Sequence, residues 1–212
     1  MPLLSKELKE AFTTKKVAAS AGNELYFNCG SVDAKKKARF TILGDDSLGG
    51  YQLFVNKKQG GMTCIRWASE PTEDEVANRL EEEGCTFIPN RQRPQQFFAL
   101  AVWNYDRDYG KDEDKPNPGI QVATFTQRSI IDPLINALSD EEVAAEVTIY
   151  DFVMSHNELD GIDKRYTLIP LPGKRRNPKV EKQIEEAWQQ VVEKGFDLKA
   201  LLVGGDPFNP AF

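Results

Sequence analysis

Histidine is almost missing from the 212 residues, His156 being the single one. That scarcity removes mechanisms needing two imidazoles, His-rich zinc hydrolase centres among them, and leaves a Ser-His-Asp triad only if His156 serves it. No Gly-x-Ser-x-Gly elbow accompanies it, so the plainer reading is a loop histidine. Cysteine is scarce too. Cys29, Cys64 and Cys85 are widely spaced, odd in number and without a Cys-x-x-Cys pair, which argues against a disulfide framework and fits a reducing compartment. No apolar run approaches the ~20 residues that span a bilayer. The Met1-Pro2-Leu3-Leu4 start lacks the apolar stretch of about 7–15 residues that marks a secretory signal, so a cytoplasmic protein is expected. Internal repeats and low-complexity tracts are absent as well.

What is present suits one globular domain with appended arms: 40% hydrophobic residues, 10% aromatic and 28% charged. The net charge of −6 is local. Residues 70–83 carry seven acids against Arg79 alone, so the remainder of the chain sums to zero. Between Lys164 and Lys182 seven bases face only Glu181. A phosphate backbone responds to the field within a Debye length of about 8–10 Å, so this segregation matters more than the total.

Apolar periodicity predicts a short helix over 3–12, then strands at 38–43, 51–55 and 62–67 joined by Gly-rich turns at 44–50 and 57–61. A surface helix over 71–83 ends at Gly84, and 97–105 reads as the clearest strand. Its two faces differ, with Phe98, Leu100 and Val102 on one and Phe97, Ala99, Ala101, Trp103 and Tyr105 on the other. A strand at 120–125, a helix from about Ser129, strands at 147–154 and 166–171, and a helix capped by Asn177 complete the pattern. The expectation is a mainly β protein with α elements: an OB-like antiparallel Greek-key barrel with an inserted helix and terminal helical arms. The divisions are a helical arm at 1–20, the barrel core at 21–176, and a C-terminal helix with a partner-binding tail at 177–212.

Cations and aromatics alternate along the strands: Arg39; Lys57 and Lys58 after Phe54; Arg66 and Trp67; Arg91 and Arg93 before Phe97; Trp103 and Tyr105; Arg128 after strand 120–125; Lys164, Arg165 and Tyr166. Single-stranded nucleic acid requires both kinds of group, cations for phosphates and flat rings on which unpaired bases stack. Strands are aromatic-rich for packing reasons too, so each ring has a core reading beside the functional one.

Residues 93–106, Arg-Pro-Gln-Gln-Phe-Phe-Ala-Leu-Ala-Val-Trp-Asn-Tyr-Asp, resemble the central strand of the single-stranded-DNA-binding (helix-destabilising) proteins of T-even-type phages. The similarity continues through residues 119–128 and the Ile131-Asp132 to Asn136-Ala137-Leu138 helix, and more loosely over 37–171. The resemblance implies an OB fold in which Arg93 holds phosphate, Phe97 lies in the DNA cleft and Arg128 lines the same groove. It also implies a basic N-terminal arm that docks on the neighbouring protomer along the strand. The family's zinc subdomain has no counterpart, since residues 68–92 hold only Cys85, so neither metal nor other cofactor is expected. In place of the family's acidic tail stands an ending with Phe208 and Phe212, similar to the Pro-Phe tips by which bacterial single-strand-binding proteins recruit partners.

The function expected is non-enzymatic coating of single-stranded DNA in the replication or recombination of a phage or phage-derived element, in the bacterial host cytoplasm. Its partners would be single-stranded DNA, replication and recombination proteins, and neighbouring protomers, with no membrane. The alternatives are a metal-dependent nuclease, for which no carboxylate–carboxylate–lysine spacing stands out, and a virion structural or interaction module with ordinary core aromatics.

Overall fold

A computed structural model describes residues 25–27, 37–86, 93–105, 119–140, 150–158, 164–171 and 177–210. The helical arm expected at 1–20 lies outside them. In chain order the elements are β1 (Tyr26–Phe27), β2 (Lys37–Lys57), β3 (Met62–Trp67), α1 (Glu73–Glu82), β4 (Cys85–Thr86), β5 (Gln95–Asn104) and β6 (Ile120–Phe125). There follow α2 (Arg128–Ser139), β7 (Asp151–Glu158), β8 (Lys164–Leu171), α3 (Pro178–Glu193) and a 3-10 helix (Leu198–Val203).

The helices start where short-range chemistry sets them. Thr72 opens α1 with a reciprocal box: its hydroxyl accepts from the Glu75 N–H at 3.3 Å, and the Glu75 carboxylate accepts from the Thr72 N–H at 2.7 Å. Those bonds from Thr72 hold the Glu75 carboxyl below its ordinary range. Asn177 caps α3 singly, its side chain accepting from the Lys179 N–H at 3.0 Å, with Pro178 in the first turn.

The strands form one open, mixed sheet in the order β1-β6-β5-β2-β7-β8, with β3 and β4 added along β2. β1 runs parallel to β6, and the other pairs are antiparallel. The barrel expected from the hairpin-like links is not what the described strands make, because their pairing does not close. The segment 44–50 also departs from expectation. Instead of reversing the chain it lies inside β2, which stays paired to β5 on both sides of it, Leu43 with Ala101 and Ser47 with Leu100. Three residues, 44–46, are looped out of the ladder. An odd insertion reverses the alternation of a strand, so even-numbered Phe40 and Ile42 and odd-numbered Leu53 and Val55 point to the same side.

That side, the front, carries two cores. Phe27, Phe40, Phe125 and Phe152 interlock there with Ile130, Ile131 and Leu134 of α2, the rings of Phe40 and Phe152 being stacked with centroids 5.7 Å apart. Further along β2, Leu53, Val55 and Ile65 pack with Val76 and Leu80 of α1 and Cys85 of β4. The back is covered over β5 and β6 by the C-terminal segment: Leu43, Ala101, Trp103 and Ile120 meet Ile184 and Val191 of α3, and Phe97, Ala99 and Val122 meet Leu198 and Leu201 of the 3-10 helix. The segment assigned to an appendage beyond residue 176 therefore forms the second wall of the core. β5 and β6 are buried on both faces, which explains a strand that is apolar on both alternations.

α3 also fixes the insertion in β2. Gly44 has φ +65, a left-handed conformation, and a Cβ built there would lie 3.0 Å from Cζ2 of Trp188. Replacing Gly44 by alanine should cost roughly 1–2 kcal/mol from backbone strain and displacement of the indole, measured by urea unfolding; a loss below about 0.5 kcal/mol, the range of neutral surface changes, would show that Trp188 does not seat on this turn.

Candidate nucleic-acid interface

Beyond the reach of α3 the 3-10 helix still meets β2 and β3, Gln52 is buried, and the back of the sheet is exposed only toward the hairpin turn. There β2 and β3 form a hairpin whose cross-strand pairs are Gln52 with Arg66, Phe54 with Cys64 and Asn56 with Met62. Leu53 and Val55 turn inward, so the intervening Phe54 is forced outward and leaves 46% of its surface exposed, with Met62 at 71% beside it. Arg66 is anchored here: its Nε donates to Gln52 Oε1 at 3.3 Å, and its guanidinium lies over the Phe97 ring, 5.6 Å from the centroid. Burial pushes the Cys64 thiol up, with Arg66 opposing the shift. The Tyr26 phenol is likewise raised, first by burial and then by the Asp206 carboxylate, again opposed by Arg66. Across β2, Gln95 stands opposite Gln52, with exposed Arg93 two residues earlier. None of the positions Gln52, Phe54, Asn56, Met62, Cys64, Arg66, Arg93 and Gln95 is acidic.

The residues singled out from the sequence scatter around this face. Phe97 and Trp103, expected to stack on bases, are 2% and 3% exposed. Phe97 is sealed by the 3-10 helix and Trp103 by α3 and by Gly119, whose absent Cβ would lie 2.7 Å from the indole. Tyr166 is buried in the front core. Burial on this scale corrects the stacking role for all three, since no ring face is left for a base. Trp67 is half-buried against the core under α1. Lys57 and Lys58 are exposed at the hairpin turn, but Lys58 is turned toward α1, where it lines a groove with Glu73 and Glu81.

Arg39 and Tyr105 form a strut at the far end of the back face. Arg39 Nε donates to Asp151 at 2.9 Å, its Nη2 pairs with the same oxygen, and Tyr105 Oη donates to the other oxygen at 3.0 Å. The guanidinium lies 4.9 Å from the Tyr105 ring centroid. Asp151 is 1% exposed, so its carboxylate is held by partners that join β2, β5 and β7. A phosphate would have to compete with that pairing. Arg128 is exposed on the front, bonded to Gln96 and to Asp132 at 3.4 Å, with Gln96 in turn donating to Tyr51 Oη at 3.0 Å. It is thus separated by the sheet from Arg66. Phe208, assigned to a partner-binding tail, is half-buried with its ring edge-on to Phe196 at 5.3 Å, and the Pro207 carbonyl accepts from the Asp197 N–H at 3.0 Å. Residues 204–208 belong to the fold. Lys164 and Arg165 open β8 opposite Glu158 and Asn157, their side chains outside the description, and Arg91 and Phe212 lie outside the described residues.

Phe54 is the exposed ring that the sequence reading passed over as a site residue. Its signal was present, an aromatic alternating with Leu53 and Val55 and followed by Lys57 and Lys58. Among the described residues no three His, Cys, Asp or Glu side chains gather as metal ligands do, and no helix is long and apolar enough to cross a membrane. Compared with protein-family models, curated proteins and solved structures, the chain matches none of them.

Because their rings fill the core, Phe97→Ala and Trp103→Ala should each destabilise the fold by about 3–5 kcal/mol, read from denaturant midpoints; near-native stability in either variant would put the ring back on the surface.

Proposed function

We propose that the chain is a non-enzymatic, sequence-tolerant single-stranded-DNA-binding protein whose contact surface is the back of the β2–β3 hairpin. The observation that carries this reading is the exposed Phe54 ring on the same hairpin face as Arg66. An outward ring on a strand offers a π-face to any base, and a cation on the same face suits the backbone beside it. Duplex DNA presents no free base face to such a ring. The acids of residues 70–83 sit on α1 and its flanks, across the sheet, where they do not oppose a bound strand.

The OB-like architecture and the T-even-type relationship are kept as part of this proposal. What supports it is β2, long and paired along both edges at Phe40, Thr41, Tyr51 and Gln52, as a strand shared between two halves of a barrel would be. The setting that goes with the resemblance is phage-type replication or recombination in a bacterial cytoplasm, with neighbouring protomers and replication proteins as protein partners, joined through chain ends beyond the described core. No cofactor enters the proposed mechanism.

A titration of single-stranded and duplex oligonucleotides followed by anisotropy tests it. Single strands should bind more tightly, and Phe54→Ala should weaken them by about 1–3 kcal/mol whatever the base sequence, with thermal stability little changed. Arg66→Ala should lower the salt slope of binding by roughly 0.7, the loss of one phosphate contact. Equal affinity for duplex, or full affinity in Phe54→Ala, would refute the reading.

A further inference from the structure

The other side of the same hairpin carries a different surface. α1 lies along it, and the positions i, i+4 and i+8 of one helical stripe are Glu73, Ala77 and Glu81. Ala77 is exposed, and its small side chain leaves a notch between α1 and the β2–β3 turn, a groove of about 350 Å³ lined by Lys58, Glu73, Ala77, Leu80, Glu81 and Cys85. The floor is apolar, with Leu80 and Cys85 both largely buried. The two glutamates stand at the ends of the notch, about 12 Å apart along the helix at 1.5 Å per residue.

The charge around the notch is one-sided. Lys58 on the opposite rim is a single cation facing Glu73 and Glu81. Arg79, the one cation of α1 itself, is engaged by Glu82 at 3.4 Å and Glu83 at 3.3 Å. Asp74 and Glu75 add to the acidity at the first turn, and Glu70 precedes it. A nucleic-acid backbone is repelled from such a surface, so the occupant has the opposite chemistry.

We propose that this groove docks a basic peptide segment of a partner protein, an aliphatic side chain entering the notch over Ala77 and Leu80 while flanking lysines or arginines meet Glu73 and Glu81. The hairpin then serves two ligands on opposite sides, and this second role stands independently of the nucleic-acid reading. Glu73 and Glu81 select for basic flanks and Ala77 sets the size of the notch.

The probe is a short fluorescein-labelled peptide with one leucine flanked by lysines, titrated into the full chain at low ionic strength, beside the same peptide with glutamates in place of the lysines. The basic peptide should bind and the acidic one should not. Ala77→Arg, an exposed helix position taking a good helix former, fills the notch while adding charge at one point only; it should weaken the peptide at least about tenfold, as should Glu73→Gln with Glu81→Gln, the loss expected for flanking charge pairs and an excluded anchor. Circular dichroism checks that each variant is folded, and oligonucleotide binding by Ala77→Arg reports the back face separately. No binding of the basic peptide overturns the proposal. So does binding that Ala77→Arg leaves unchanged, which would be diffuse attraction to α1. Self-association of the chain that Ala77→Arg removes would assign the groove to a second copy and overturn it as well.

Discussion

Three residues looped out of β2 set the arrangement of everything else. Because the insertion at 44–46 is odd, the apolar alternation changes parity between Ile42 and Leu53 while the strand continues. One long strand thereby supplies the α2 core with Phe40 and Ile42 and the α1 core with Leu53 and Val55 on the same side. An even insertion would turn Leu53 and Val55 outward and bury Phe54, exchanging the apolar floor under α1 for the face now open to solvent. Gly44 and Trp188 tie the insertion to α3, so the helix that covers the back of the sheet also fixes the turn that defines its front.

Much of this was legible in the chain. Asn177-Pro178 marked the start of α3, and Thr72 with Glu75 gives the start of α1 by the same capping chemistry. The two unlike faces of β5 were readable from period-two alternation, with Phe98, Leu100 and Val102 separated from Phe97, Ala99, Ala101 and Trp103. What alternation cannot say is what lies over each face. The aromatic side of β5 reads as available to bases as long as the α3 segment, nearly eighty residues later in the chain, is an appendage; in the fold it covers that side. The Gly-rich run at 44–50 reads as a reversal, since a bulge and a turn use the same residues; the register with β5 distinguishes them.

The same physical cause redistributes the cations. Arg39 looked like a free strand cation, yet it lies beside a carboxylate contributed by β7 more than a hundred residues away. Lys58 looked like part of a basic turn, yet the turn folds against α1 and its acids. Arg66 stays on the back face, half-buried and fixed by Gln52 and Phe97, with Arg93 exposed ahead of β5. The proposed site is thus smaller than the sequence suggested and differently composed, centred on Phe54, which owes its exposure to the burial of its neighbours. Across the hairpin, the carboxylates of α1 lie on the front with Lys58 beside them, and Arg66 and the exposed Phe54 ring lie on the back.

Photocrosslinking a bromodeoxyuridine-substituted single strand to the full chain, followed by peptide mapping, tests this most directly. The account predicts adducts on the back of the hairpin, at Phe54 and its neighbours Met62 and Cys64. Adducts concentrated on the front, around Tyr51 and Arg128 or along α1, would contradict it.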